Sequence, residues 1–141
     1  MKVIQILNNK PQEIYSVNRG TSILDALTVM MEKNISALLI IEEGVLHGIF
    51  SERDYARKII LQGKSSKDTM ISEVMSSNLI TVTQQDSIDH CMQLMTDKHI
   101  RHLPVVENGK VLGLISIGDI VKNIIEEQKQ TIEQLQTYIH S

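Results

Sequence analysis

Two short segments carry the side chains best suited to chemistry, Ser51-Glu-Arg-Asp54 and Ser116-Ile-Gly-Asp119. Each follows an apolar run and should open a helix, whose first N–H groups have no partner within the helix. Those N–H groups and the serine hydroxyl favour a bound phosphate. The aspartate is an acceptor-only group that can take two sugar hydroxyls at once. Both segments are therefore candidate binding sites.

The same Ser-x-x-Asp pattern also resembles the capping box that starts many ordinary helices, so a purely structural role stays open. Two observations favour binding. The pattern follows an apolar run twice in one chain, and Arg53 and Arg57 lie four apart on one helix face. In the second segment Ile117 and Gly118 stand between the serine and the aspartate, so that segment lacks a local cation.

No catalytic constellation accompanies these segments. A nucleophile with its base, a carboxylate pair and a set of metal ligands are all missing at recognisable spacing, so we predict that the chain is not an enzyme. His99 and His102 are close together, but with one cysteine and no third ligand nearby they do not indicate zinc. Neither a Gly-x-x-x-x-Gly-Lys loop nor a Gly-x-Gly-x-x-Gly fingerprint occurs.

The two segments close two copies of one repeat, offset by 65 residues without a gap. Each copy begins with a short β-prone stretch, at 14–17 and 79–82, followed by a serine N-cap and a one-sided helix. An apolar strand, a turn and a second strand follow, and the Ser-x-x-Asp helix ends the copy. Identical residues that fall on each other include Val17 and Val82, Ser22 and Ser87, Ile23 and Ile88, Met30 and Met95, Lys33 and Lys98, Ile35 and Ile100, Glu42 and Glu107, Gly44 and Gly109, and Gly48 and Gly113.

Each copy thus reads β-α-β-β-α and is too small to bury two helices and a sheet alone, so we expect an α/β fold in which both copies form one module. The apolar helix face is Ile23, Ala26, Leu27 and Met30 in copy one and Ile88, Cys91, Met92 and Met95 in copy two. The predicted divisions are an N-terminal segment at 1–13, copy one at 14–62, a linker at 63–76, copy two at 77–125 and a C-terminal helix at 126–141.

The composition bounds the partners. A chain of 141 residues with a net charge of −3 offers no general attraction to nucleic acid or anionic lipid. Cys91 cannot form an internal disulfide and should be a buried, inert thiol. No long apolar run indicates a membrane span or signal sequence, so we expect a cytoplasmic protein without a membrane partner.

The C-terminal helix has an apolar stripe at Ile125, Ile132, Leu135 and Ile139, interrupted by Gln128. Two heptads are too few to establish a coiled coil. The sequence leaves two alternatives equally open, docking on its own module and pairing with a second chain.

The segments Gly48-Ile-Phe-Ser-Glu-Arg-Asp54 and Gly113-Leu-Ile-Ser-Ile-Gly-Asp119, with His102-Leu-Pro-Val-Val106 and Ser72-Glu-Val-Met75, are similar to the paired motifs of the CBS (cystathionine β-synthase) family, the Bateman module. The resemblance covers about residues 12 to 125. The chain looks like the stand-alone bacterial signal-transduction type. The resemblance implies two clefts, related by a pseudo-twofold axis, that hold an adenine nucleotide: AMP is our first choice, with ATP or NAD as alternatives.

The resemblance also implies residue roles. Asp54 and Asp119 would bind ribose, and Ser51 and Ser116 would contact phosphate. Basic side chains of both copies would converge on a shared phosphate zone, namely Arg53 and Arg57 from copy one and Arg101 and His102 from copy two. The adenine pockets would be lined by Tyr15, Ser16, Val17, Ala37 and Leu38 in the first site, and by Ile80, Thr81, Leu103 and Pro104 in the second.

Three functional hypotheses follow. The first is a nucleotide sensor, a homodimer that reports ligand binding to an unknown downstream protein through a conformational change. The second is a constitutive dimerisation or interaction module without a small ligand. The third, RNA or single-stranded DNA binding through Arg53, Arg57, Lys58 and Arg101, is disfavoured by the acidic pI and the few aromatic residues.

Overall fold

The computed structural model describes residues 1–10 and 13–140. It is a mixed α/β structure with two small sheets, as the sequence predicts. The helices are α1 (Val3–Asn8), α2 (Ile23–Lys33), the single turn α3 (Glu52–Asp54), α4 (Ile88–Lys98) and α5 (Ile117–His140). A π-helix, Tyr55–Ile60, continues α3, and a 3₁₀ turn spans Ile71–Glu73. The strands are β1 (Ser16–Val17), β2 (Ala37–Glu42), β3 (Val45–Ser51), β4 (His102–Glu107) and β5 (Lys110–Ser116).

The first sheet has the order β1-β2-β3, with β1 parallel and β3 antiparallel to β2. The second is the hairpin β4-β5. Both predicted hairpins are confirmed. Their turns, Glu43-Gly44 and Asn108-Gly109, have positive φ at both central residues, which matches the twist of the flanking strands.

The strand predicted at 79–82 is reduced to a single bridge between Val82 and Val105. The backbone explains this difference, because the Leu79 N–H turns back to the Ser77 carbonyl at 3.0 Å and is lost to any ladder. Pairing therefore begins only at Val82, whose N–H donates to the Pro104 carbonyl.

Both predicted N-caps are confirmed, since Ser22 accepts from the Asp25 N–H and Ser87 from the His90 N–H. Both helices end at a left-handed residue, Asn34 or His99. The predicted core faces of α2 and α4 are buried except that Met92 is 37% exposed and Leu27 is only partly buried.

Cys91 is buried, as expected. Burial and then the charge of Asp86 raise the pKa of its thiol to about 11, so the reactive thiolate is scarce at neutral pH.

The chain forms two compact units that do not follow its linear order. One contains residues 1–10, 81–107 and 112–140, and the other contains 13–80 and 108–111. The N-terminal segment (residues 1–10) therefore belongs with copy two, where the Val3 N–H donates to the Asp86 carbonyl at 2.9 Å. The linker (residues 63–76) belongs with copy one, where the Ile71 N–H donates to the Thr21 carbonyl at 2.8 Å. Each copy is completed by the segment that precedes the other.

These two segments, residues 63–76 and 1–10, lie very close to the glycines that begin the motifs, Gly48 and Gly113. A Cβ at Gly48 would lie 2.7 Å from the Met75 Sδ and 3.0 Å from the Ser76 carbonyl oxygen. A Cβ at Gly113 would meet only the Leu7 Cδ2, at 2.9 Å. Glycine at the head of each Ser-x-x-Asp motif therefore permits a close approach of chain rather than a special φ.

We expect Gly48→Ala to lower the free energy of unfolding by about 1–3 kcal/mol, because a backbone carbonyl beside the new methyl must move. Gly113→Ala should cost less, since the Leu7 methyl can rotate away. Urea denaturation of both variants measures the difference. Equal costs, or a neutral Gly48→Ala, would contradict this packing.

Candidate functional site

The two Ser-x-x-Asp segments lie where β3 runs into α3 and β5 runs into α5. In copy one the Asp54 N–H donates to the Ser51 Oγ at 3.2 Å, and the Ser51 N–H donates to the Asp54 Oδ2 at 2.9 Å. In copy two the corresponding distances are 3.1 and 2.9 Å. The capping alternative raised from the sequence is thus present in both copies.

The capping bonds leave part of each aspartate carboxylate available to other groups. In both copies the capping bonds fall on Oδ2, and the side chains of Asp54 and Asp119 stay 18% and 26% exposed. A carboxylate oxygen can accept two hydrogen bonds, so each aspartate keeps acceptor capacity for a ligand.

The residue just before β2 and the residue just before β4 each bond to a motif. The Glu52 N–H donates to the Ser36 carbonyl at 3.1 Å, and the Ile117 N–H donates to the Arg101 carbonyl at 2.9 Å. The second bond places Arg101 beside the start of α5, near Ser116, and the Arg101 side chain is exposed. The structure brings these predicted residues of copy two together within one unit.

A lysine neutralises each aspartate. The Lys58 Nζ lies 3.5 Å from the Asp54 Oδ1 and donates to the Val74 carbonyl at 2.9 Å. The Lys10 Nζ donates to the Asp119 Oδ2 and to the Leu114 carbonyl, both at 2.8 Å. Copy two therefore has the cation that its own motif lacks.

The second pair sets the charge state of its aspartate. Burial alone would raise the pKa of Asp119, but the hydrogen bond from Lys10, the Ser116 N–H and the Lys10 charge together lower it below its ordinary value. Asp119 is therefore firmly ionised at neutral pH.

The residues expected around the first adenine pocket divide into two groups. The side chains of Ala37 and Leu38 are buried in the core, so they could offer only backbone to a ligand. Ser16 and Val17 pair with Leu39 and Ile40.

Tyr15 is held from two sides. Its hydroxyl bonds to Glu13, which raises the tyrosine pKa, and the Lys33 Nζ lies 5.4 Å from the ring centroid. Arg53 and Arg57 are exposed, with Arg53 on α3 and Arg57 on the π-helix that continues it; we call these two elements together the motif helix.

The residues expected around the second pocket are less uniform. Leu103 and Pro104 are buried, His102 is half-buried and Thr81 is exposed. Ile80 belongs to the unit that contains residues 13–80, whereas Thr81, Leu103 and Pro104 belong to the other unit. The shared phosphate zone depends on how the two units are arranged and stays a prediction.

Sequence reasoning missed Lys58 and Lys10 as partners of the aspartates. Lys58 could have been found, because it lies four residues after Asp54 on one helix. Lys10 could not, because it is 109 residues from Asp119 and nothing local connects them.

A family model for the CBS domain matches residues 6–61 and 71–126, which is more than half of the chain. The chain belongs to the CBS-domain family. The two matches coincide with the two repeats and with both aspartate motifs. A CBS pair is a regulatory module.

Similar proteins extend this assignment. The mitochondrial CBS domain-containing protein CBSX3 of Arabidopsis thaliana is 42% identical over 123 residues, which are 84% of this chain and 60% of that protein. A structure of a CBS-domain protein from Burkholderia ambifaria, assigned to signal transduction, has a TM-score of 0.88 at 46% identity, covering 91% of this chain and 96% of that one.

A third similar structure contains ligands. The CBS domain pair of the protein MJ0100, with a TM-score of 0.80 at 29% identity, covers 90% of this chain and 98% of its own, and it was solved with 5′-methylthioadenosine and S-adenosyl-L-methionine.

Among the described residues, no helix is long and apolar enough to cross a membrane. Within 1–10 and 13–140, no group of three or more His, Cys, Asp or Glu side chains is placed to hold a metal ion.

Proposed function

We propose that this CBS pair is a regulatory module that binds an adenosine-containing ligand at each Ser-x-x-Asp motif, with the aspartate accepting the ribose hydroxyls. One observation carries the proposal. Each motif aspartate is held through its Oδ2 by the capping bond from the serine N–H, and it stays partly exposed at a strand-to-helix junction, where its carboxylate can accept further hydrogen bonds. A carboxylate in that position can accept hydrogen bonds from the hydroxyls of a ribose diol.

The similar structure with bound ligands supports this chemistry. Both 5′-methylthioadenosine and S-adenosyl-L-methionine contain adenosine, and neither contains phosphate. The moiety they share with AMP, ATP and NAD is therefore the adenosine itself, which is the part that an aspartate can select.

The local charges favour a monophosphate among the nucleotides. In copy two, Lys10 offsets Asp119 and leaves Arg101 as one excess cation. In copy one, the charged residues from 52 to 58 sum to a formal charge of +1, namely Glu52, Arg53, Asp54, Arg57 and Lys58. One positive charge per motif suits AMP better than the four negative charges of ATP. We therefore keep AMP as the first choice of ligand.

The role that follows is sensing rather than catalysis. Ligand binding stabilises the conformation that binds best, and a partner protein reads the change. We place this role in the cytoplasm, as the sequence indicates, and we assign the chain no reaction. The competing hypothesis is an interaction module that binds nothing small.

A thermal-shift and calorimetric titration with AMP, ATP, NAD and S-adenosylmethionine separates the two hypotheses. We expect AMP at 100 times its dissociation constant to stabilise the wild type by about 2.7 kcal/mol for each occupied site, and an Asp54→Ala/Asp119→Ala variant to lose that response. Asp25→Asn/Asp89→Asn is the matched control, because it removes two carboxylates from the first turns of α2 and α4 and should respond as the wild type does.

A wild type that responds to none of these compounds, after removal of any nucleotide that co-purifies, would favour the interaction module. A response of equal size in the Asp54→Ala/Asp119→Ala variant would place the ligand elsewhere.

We also propose that the chain forms a homodimer through the C-terminal part of α5. That helix continues to His140, beyond the family match, which ends at residue 126. Ile125, Ile132, Leu135 and Ile139 are 47–74% exposed, so the stripe is not docked on its own unit. The part of α5 beyond the family match, residues 127–140, is near the length of about 12–15 residues below which an isolated helix is marginal in water. A second copy offers the same stripe at the same seven-residue spacing, so the surface is self-complementary.

We expect Ile132→Glu/Leu135→Glu to shift the protein from dimer to monomer, because four charges would enter the interface of each dimer. Gln130→Glu/Thr137→Glu adds the same charge on the opposite face of the helix and should leave the dimer intact. Light scattering after size-exclusion chromatography measures both. A wild type that is monomeric at tens of micromolar, or a dimer that survives the first variant, would contradict this interface.

A further inference from the structure

The two aspartates receive their lysines from different places. Copy one carries Lys58 four residues after Asp54, on the motif helix itself. The repeat places Asn123 at the corresponding position of copy two. Asn123 uses its Nδ2 to donate to the Asp119 backbone carbonyl at 2.7 Å and brings no charge to the carboxylate. The cation at Asp119 is instead Lys10, from the N-terminal segment.

The two lysines also differ in where they begin. One lies on the helical segment that contains its motif, and the other lies on a segment outside its motif. Lys58 starts on the motif helix and reaches the Val74 carbonyl of the linker. Lys10 starts on the N-terminal segment and reaches the Leu114 carbonyl of β5. In both copies one ammonium group therefore joins an aspartate to a strand or linker carbonyl. The two copies keep the same arrangement of charge while its covalent source has changed.

We propose that Lys10 is a positioning residue of the second ligand site, which replaces the lysine absent at position 123 and makes that site depend on the N-terminal segment. The inference rests on the proposed function, since it concerns how Asp119 is prepared for a ribose.

Lys10 acts on Asp119 in two ways. Its hydrogen bond and that of the Ser116 N–H both fall on Oδ2, which fixes the rotation of the carboxylate. Its charge offsets the burial that would otherwise favour the neutral acid. Lys10 is the charged group acting on Asp119 within the described part of the chain, and Ser116 is the uncharged donor.

This arrangement makes the two sites differ in what they require. The first site has its lysine on the same helical segment as its aspartate, four residues after it. The second is complete only when the N-terminal segment lies against copy two. Anything that displaces that segment would weaken ligand binding at Asp119 and spare binding at Asp54.

The test uses the full chain with Asp54→Asn, so that only the second site remains, and titrates AMP by calorimetry from about pH 7.5 to about pH 5. In this background we expect Lys10→Met to weaken binding about tenfold, the usual effect of losing a charge-assisted hydrogen bond. Because the variant aspartate keeps its burial but loses its cation, its pKa rises. The affinity should then begin to fall at a higher pH than in the parent.

Two further variants separate positioning from folding. Adding Asn123→Lys to Lys10→Met transfers the arrangement of copy one to copy two, and should recover most of the affinity and return the pH profile to that of the parent. Lys2→Met removes the same charge from the same segment, where Lys2 bonds to Gln85 rather than to Asp119, and should change neither. Carboxyl-carbon NMR of the ligand-free proteins measures the pKa of Asp119 in each variant.

The outcomes are distinct. Equal affinity and an equal pH profile in Lys10→Met would overturn the inference, and so would a loss that Asn123→Lys does not recover and that leaves the pKa of Asp119 unchanged. If the wild type binds AMP but the Asp54→Asn parent does not, the second site is not a ligand site and the inference fails while the proposed function survives at the first site. If the wild type itself binds no adenosine compound, the proposed function fails, even where NMR still shows the coupling of Lys10 to Asp119.

Discussion

The close approach of a preceding chain segment to the glycine of each motif is the constraint on which the rest of this structure depends. Met75 and Ser76 lie against Gly48, and Leu7 lies against Gly113. A side chain at Gly48 would push away the backbone of the segment that completes the unit, and one at Gly113 would displace the Leu7 methyl. The same segments supply the Val74 carbonyl that anchors Lys58 and the ammonium group of Lys10. The close packing at the glycines and the lysine contacts of the aspartates therefore have one origin. Each copy is completed by the segment that precedes the other, which we call the exchange of segments.

This exchange also explains how two copies of one repeat arrive at similar sites with different residues. Ser51 and Asp54 are kept as Ser116 and Asp119, because each pair caps a helix and holds one carboxylate oxygen. The cation is not kept in place, since its effect needs only proximity to the carboxylate. A lysine from any element that lies close by can meet that need, and Lys10 does so from another part of the chain.

Local features of the fold were accessible from the sequence. The N-caps Ser22 and Ser87, the two positive-φ turns and the buried strands each follow from residues close together in the chain. The pairing of Lys10 with Asp119 was missed because it joins residues 109 positions apart. The backbone turn between Ser77 and Leu79 is local, yet the β-prone residues that follow it favoured a strand. Met92 has the right spacing for the core face of α4, yet α4 leaves it 37% exposed, because periodicity cannot fix the width of a buried face.

The candidate site shows the same division. The two aspartates were found because their motif recurs, and their capping bonds follow from its spacing. The contribution of Lys10 to lowering the pKa of Asp119 could not have been foreseen, because the motif of copy two carries no cation between its serine and its aspartate. Counting charges along a motif is thus a weaker guide than the charges that the fold assembles around it.

The most direct measurement is a crystal structure of the protein with AMP. The account predicts ribose hydroxyl oxygens within hydrogen-bonding distance of the Asp54 and Asp119 carboxylates, with the capping bonds from Ser51 and Ser116 retained. AMP bound with its ribose away from both carboxylates, or crystals that stay free of AMP at saturating concentration, would contradict the central claim.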